Sequence, residues 1–320
     1  MKRRLMLFMA VIAIFSVVFF AGCKDDTTTE PSKTIFEIVT AYMDGNGMAL
    51  TDLLTDWIIA ASDIVDDLDN YYIMDIRSGD ADEDDIIDYN EGHVPGAVAS
   101  SYDNIVTDAA SADKPIIVVC YTGQSAGHAV MALRLSGYPD AKVLKWGMSG
   151  WNSAFDSWTG NVDQLDHLNW VAAPGSIKAP ETFNFPSISS DSEDGATILT
   201  ARVNALLSGG FKGINSVEVL EFPEDDFVNN YWGEADVTNY GNIEGAYRIN
   251  PINLENLDAE DTVITYCWTG QTSSMITAYL TVLGYDAKSL KFGANSMIYD
   301  ALTEHKWTQL TVDYDYETGE

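Results

Sequence analysis

A chain of 320 residues exceeds one typical domain and suits two domains of about 120–150 residues each. Its 49 acidic residues against 17 basic ones give a formal net charge of −32. Such a surface repels nucleic acid and anionic lipid headgroups, so neither is expected as a partner; the charge suits solubility and cationic partners without naming a function.

In chain order, Lys2, Arg3 and Arg4 precede an apolar run over residues 5–20, followed by Ala21-Gly22-Cys23. A basic start, an apolar stretch and small residues form an export signal, too short for a membrane span and without a stop-transfer flank. The ending resembles the bacterial lipoprotein signal, with Phe20 where leucine is usual. The resemblance implies removal of residues 1–22, lipidation of Cys23 and an extracytoplasmic protein at the cell envelope, touching the membrane through its N-terminal lipid only. A plain secretory signal or an uncleaved anchor is the alternative. Residues 23–34, with "KDDTTTEPSK", then read as lipidated cysteine and polar tether. A first domain is expected over 35–171, a Pro- and Ser-rich linker over 172–195 containing Pro174, Pro180 and Pro186, and a second domain over 196–320.

"YYIMDI" (71–76) reads as a short strand. "PIIVVC" (115–120) and "TVITYC" (262–267) are continuous, β-branched apolar runs, the mark of strands buried on both faces. A glycine turn follows each, then a helical stretch in which Ala126, Val130, Leu133 and Gly137 share a face. "AKVLKW" (141–146) and "AKSLKF" (287–292) read as further strands. Strands alternating with helices predict an α/β fold with mostly parallel sheets flanked by helices.

The halves repeat each other. "EGHVPGA" (91–97) matches "YGNIEGA" (240–246). "VVCYTGQSAG" (118–127) matches "TYCWTGQTSS" (265–274). "SGYPDAKVLKWGMSGW" (136–151) matches "LGYDAKSLKFGANSM" (283–297). Both cysteines precede a Gly-Tyr pair by the same interval, at Gly137 and Gly284, which points to duplication.

With Cys23 assigned to lipid, Cys120 and Cys267 remain. Each occupies the same point of a repeated unit, which predicts separate sites rather than a disulfide. A cysteine at the carboxyl end of a central parallel strand lies where α/β folds place reactive groups. Backbone N–H groups of the turn and the following helix N-terminus favour a thiolate, the nucleophilic form. Gly123 and Gly270 permit positive φ or close approach. Thr122, Gln124 and Ser125, with Thr269, Gln271 and Thr272, offer neutral donors. This chemistry requires an exposed thiol ringed by main-chain amides.

These blocks resemble the rhodanese family. "MDIRSGDADEDDIIDYNEGHVPGA" is similar to its opening Asp-x-Arg and Gly-His-x-Pro-Gly-Ala pattern. "CYTGQSAGHAVMALRLSGY" resembles its active loop and helix, and "AKVLKWGMSGW" its closing region. The similarity spans about residues 70–155 and, more weakly, 210–300. It implies two rhodanese-like domains and a sulfurtransferase in which Cys120 takes a sulfane sulfur as a persulfide and passes it to a thiol acceptor. Backbone amides of Tyr121, Thr122, Gly123, Gln124, Ser125 and Ala126 would cradle that sulfur. Cys267, with Trp268, Thr269, Gly270, Gln271, Thr272 and Ser273, would form a second site. Asp75 and Arg77 match the family's pair, read as a scaffold ion pair, and His93 its histidine, read as structural. No cofactor or metal is implied.

Two departures shape the expectation. Tyr121 and Ser125, or Trp268 and Thr272, stand where many active rhodaneses carry arginine, so no cationic clamp awaits thiosulfate. A persulfide, a polysulfide or a protein thiol partner then suits the site better. The second half has Asn242 and Glu244 in place of His93 and Pro95, and no evident Asp-x-Arg, since "SVEVLEFPEDD" (216–226) occupies that region. The alternative is a non-catalytic module binding a sulfur species or a protein. Related phosphatases end their loop in arginine, which neither loop does. No C-x-x-C occurs, and the four histidines form no zinc pattern. "DADEDD" (80–85), "PEDD" (223–226) and "DGNG" (44–47) read as solvated acidic turns.

Overall fold

The apolar runs become strands whose side chains alternate between two covered faces. In the first half these are β1 (Ile58–Ile59), β2 (Tyr72–Asp75), β3 (Val98–Ala99), β4 (Ile116–Val119) and β5 (Lys142–Leu144). They form one sheet in the order β1-β5-β4-β2-β3, parallel throughout. Strands β6 (Trp170–Val171), β7 (Gly213–Ile214), β8 (Phe227–Asn230), β9 (Asn242–Ile243), β10 (Val263–Tyr266) and β11 (Ala287–Leu290) follow. Four of these make a second parallel sheet, β7-β11-β10-β8, and β6 pairs with β9 antiparallel. Every residue of β4 and β10 is buried, as their unbroken apolar runs require. This computed structural model describes residues 32–319, so the expected export signal and Cys23 lie outside the described residues.

Each central strand runs through its cysteine into a helix, Gln124–Leu135 in the first half and Gln271–Val282 in the second. The two helices pack against each other. Gly127 makes the approach possible, because a Cβ there would collide with Ser274 Oγ. Helix Ile35–Gly45, closed by a Thr34–Glu37 capping box, packs on helix Gly195–Ser208, which Asp194 caps. One hydrophobic core therefore runs through both halves, with Met74, Val118 and Leu133 joined to Leu206, Ile276 and Leu280. The outer face of each sheet has its own cluster: Ile73, Ile117 and Leu144 in the first half, and Val228, Ile264 and Leu290 in the second.

Residues 172–194 form no helix or strand, yet they are tied to the second half: Lys178 N donates to Ala246 O at 3.0 Å and Phe183 N to Glu255 O at 2.9 Å. The last residues return to the first half. Glu317 and His93 exchange both backbone hydrogen bonds (2.9 and 3.0 Å), and Trp151 Nε1 donates to Asp315 O at 2.8 Å. Among the described residues no helix is long and apolar enough to cross a membrane.

Candidate active site

The turn after β4 wraps the Cys120 sulfur in main-chain donors. Gly123 takes φ +79° and caps the helix Gln124–Leu135. That left-handed turn aims Gly123 N at Sγ (3.1 Å), and the first helical turn brings Ala126 N to 3.4 Å. On its other side the loop is pinned by Met148 N to Cys120 O (2.8 Å) and Ser149 N to Tyr121 O (3.1 Å). Of the amides over 121–126 expected to cradle the sulfur, those of Gly123 and Ala126 reach Sγ. The thiol is not exposed, however: only 3 % of Cys120 reaches solvent. Cys120 is part of the hydrophobic core shared by both halves, and two aromatic side chains flank its loop. Tyr121 folds over the Arg77 guanidinium at 5.0 Å, and Trp158, fully buried, donates Nε1 to Thr122 O at 3.3 Å.

The second loop repeats this geometry in part. Gly270 takes φ +75°, and Ser273 N reaches Cys267 Sγ at 3.4 Å. Cys267 is as buried as Cys120, and both are free thiols. The repeated glutamines do not serve the sulfurs. Gln271 Nε2 donates to Thr122 O (3.1 Å), and Phe292 N donates to Gln124 Oε1 (2.8 Å). Each glutamine crosses to the opposite loop, in a reciprocal clasp between the halves. Gly123 and Gly270 leave room for it, since a Cβ on either would collide with the other half's glutamine. Gln124 and Gln271, expected as sulfur-site donors, are thus buried interface residues. Thr122 Oγ1 accepts from Gln124 Nε2 and Thr269 Oγ1 from Gln271 N, while Ser125 and Thr272 remain half-buried.

Asp75 and Arg77 lie at the end of β2, beside the loop. Arg77 Nε and Nη2 reach the Asp75 carboxylate at 3.0 and 2.6 Å, Nη2 also donates to Gly92 O, and Arg77 N donates to Asp75 Oδ1 at 3.0 Å. Burial opposes the guanidinium charge, but the adjacent Asp75 outweighs it and holds the Arg77 pKa above its ordinary value. Arg77 Nη1 has no partner among the described residues. Tyr121 is pushed up mainly by burial and secondarily by Asp88, so its phenol stays neutral. His93 stacks on Tyr89 at 3.9 Å, shares Nδ1 with Tyr89 O at 2.9 Å and faces Glu317. It anchors the C-terminal residues rather than the cysteine loop.

The family description "Rhodanese-like domain" matches residues 59–154, the span holding these groups. Thiosulfate sulfurtransferase GlpE of Shewanella oneidensis is 34 % identical over 84 residues, covering 26 % of this chain and 76 % of that protein. The chain belongs to the rhodanese-like family. The protein of the same name from Pseudoalteromonas translucida is 33 % identical over 91 residues, covering 28 % of this chain and 80 % of its own. Among solved structures, the SseA 3-mercaptopyruvate sulfurtransferase of Escherichia coli is 17 % identical, covering 74 % of this chain and 98 % of its own, at a TM-score of 0.29.

The rhodanese-like span ends before β7, but strand register locates the counterpart of its Asp-x-Arg in the second half. Asp75 pairs with Val119, the residue before Cys120; Asn230 pairs with Tyr266, the residue before Cys267. The counterpart is therefore Asn230-Tyr231-Trp232, and not the region of "SVEVLEFPEDD", which forms helix Ser216–Glu221 and the turn after it. Trp232 N donates to Asn230 Oδ1 at 3.0 Å, as Arg77 N does to Asp75. Trp232 stacks on Trp268 at 4.2 Å where Arg77 covers Tyr121. Where the first half holds a buried ion pair, the second holds neutral side chains, and Asn230 Nδ2 and Trp232 Nε1 have no partner among the described residues. No charged motif marks it and its interval to the cysteine differs from that in the first half, so strand register alone reveals it.

Proposed function

We propose that the protein is a sulfurtransferase in which Cys120 carries a sulfane sulfur. The observation that supports this best is the convergence of Gly123 N and Ala126 N on Cys120 Sγ at 3.1 and 3.4 Å, a fixed set of dipoles for a sulfur anion. The Cys120 thiolate attacks the outer sulfur of a donor. A new Sγ–S bond forms, the donor's bond to that sulfur breaks, and the remainder leaves with the electron pair. An acceptor thiolate then takes the outer sulfur and restores Cys120, so one hard transfer becomes two easier ones. Residues 121–126 contain no cation, so a persulfide or polysulfide suits the site better than thiosulfate.

The second half, with the same order over four strands, is part of this proposal as a tandem rhodanese-like domain. So are export, lipidation at Cys23 and placement at the cell envelope, which follow from residues 1–23. A non-catalytic module that binds a sulfur species is the second reading, favoured by the 3 % exposure of Cys120. Intact mass after treatment with thiosulfate and, separately, inorganic polysulfide distinguishes them. A gain of one sulfur that Cys120→Ser reduces supports transfer; no gain at Cys120 with either donor supports the module.

A further inference from the structure

The two cysteines sit above different interiors. Beneath Cys120, strand register and helix position place Met74, Val118, Ala126, Val130 and Val143, all fully buried in the shared core together with Cys120. The corresponding positions beneath Cys267 are Asn229, Thr265, Ser273, Thr277 and Ser289, equally buried. Five hydrocarbon positions of one half are thus amide or hydroxyl in the other, and Cys267 belongs to none of the hydrophobic clusters among the described residues. Packing does not require this. Three of these atoms, Asn229 Nδ2, Thr265 Oγ1 and Thr277 Oγ1, have no partner among the described residues, a burial that works against stability.

The remaining two hydroxyls form a chain that starts at the sulfur. Cys267 Sγ donates to Ser273 Oγ at 3.6 Å, Ser273 and Ser289 hydroxyls meet at 2.8 Å, and Ser289 Oγ donates to Gly270 O at 3.3 Å. A hydroxyl both donates and accepts, so the chain has two senses. With a thiol it runs from sulfur to Ser273 to Ser289. With an anion it reverses, Ser289 donating to Ser273 and Ser273 to the sulfur. Thr265, in register with Ser289 on the neighbouring strand and unpartnered, is placed to extend it. Cys120 has Ala126 at that point and no such chain.

We propose that Cys267 is a second sulfur-accepting thiol, and that Ser273 and Ser289 are positioning residues that stabilise its anion by reversing this hydroxyl chain. The proposal deepens the sulfurtransferase reading and rests on it. With inorganic polysulfide as donor, the Cys267 Sγ–S bond forms as the terminal S–S bond of the polysulfide dianion breaks. The thiol proton passes to the departing polysulfide, one sulfur shorter, and the products are a persulfide anion and a hydropolysulfide anion.

The test treats the full chain with sodium polysulfide, digests it, and weighs the Cys120 and Cys267 peptides separately over time at several pH values. Both peptides gain one sulfur. Ser273→Ala, the residue present in the first half, slows loading at Cys267 about tenfold near neutral pH, the loss of one hydrogen bond to an anion. Ser289→Val acts in the same direction. The conservative replacement Ser273→Thr, which keeps the hydroxyl, recovers the rate, and Cys120 loads at an unchanged rate throughout. A Cys267 peptide that stays unloaded while Cys120 loads overturns the proposal alone, as does Cys267 loading at the wild-type rate in both variants. Loading at Cys267 without loading at Cys120 overturns the assignment of Cys120 and leaves this one standing.

Discussion

A guanidinium with 4 % of its residue in solvent needs a counter-charge, and Arg77 has one in Asp75. Removing one member of such a pair leaves the other charged and unpaired, which costs about 3–5 kcal/mol, whereas replacing both is often neutral. Asp75→Asn is therefore expected to lower stability by about that amount in urea unfolding. Asp75→Asn with Arg77→Trp, which copies Asn230 and Trp232, should recover much of the loss. A double variant no more stable than the single one would refute the neutral-pair reading of the second half. At this scale much was legible. Cys120, its glycine turn and Asp75-x-Arg77 are local patterns whose placement follows from neighbours in the chain. The glutamines misled because Gln124 and Gln271 find their partners on the opposite loop, and no local rule carries that distance. Trp158 was silent for the same reason: it reaches the Cys120 loop from beyond the β5 turn.

Strands and loops obey the same logic one level up. The parallel order and the burial of β4 and β10 follow from unbroken apolar runs, so the α/β class could be read directly. Strand β8 was missed as the partner of β10 because "FVNN" ends in two buried asparagines, which have low strand propensity and gain their place from the sheet. The loop after β5 shows how tightly elements meet at the site. Gly147 has φ +61°, and a Cβ there would stand 2.6 Å from Thr122 N while colliding with Cys120 O. Both neighbours are backbone, so neither yields as a side chain would. Gly147→Ala is expected to lose on the order of 3 kcal/mol in denaturant unfolding through strain at a left-handed position. It should also slow sulfur loading at Cys120, because the amide cradle shifts with the loop. Unchanged stability and loading would mean that the cradle is not held from the β5 side.

At the scale of the molecule, the halves read as separate repeats but fold around one core, and His128 tests that union. It stands eight residues after Cys120 on the helix Gln124–Leu135, where the second half has Met275. It is fully buried, its Nδ1 is hydrogen-bonded to Tyr102 OH, and its ring meets the edge of Phe211 from the other half. Burial, with a smaller contribution from Lys212, lowers its pKa to about 3. The folded chain thus holds a neutral imidazole, while the unfolded chain protonates it below about pH 6.5. Between about pH 6.5 and about 3 the unfolded state binds the extra proton, so stability falls as pH falls through that window and is independent of this group above it. One proton contributes a slope of at most about 1.4 kcal/mol per pH unit. His128→Met should remove that slope: urea midpoints of the two proteins would track each other above pH 7 and diverge below pH 6, with the wild type losing stability faster. The transition should remain a single one by both near-UV and far-UV signals, because the helix carrying His128 belongs to the core of both halves. Parallel curves down to pH 4 would contradict a neutral, buried His128, and a first half that unfolds alone as His128 protonates would contradict a core shared across the repeat.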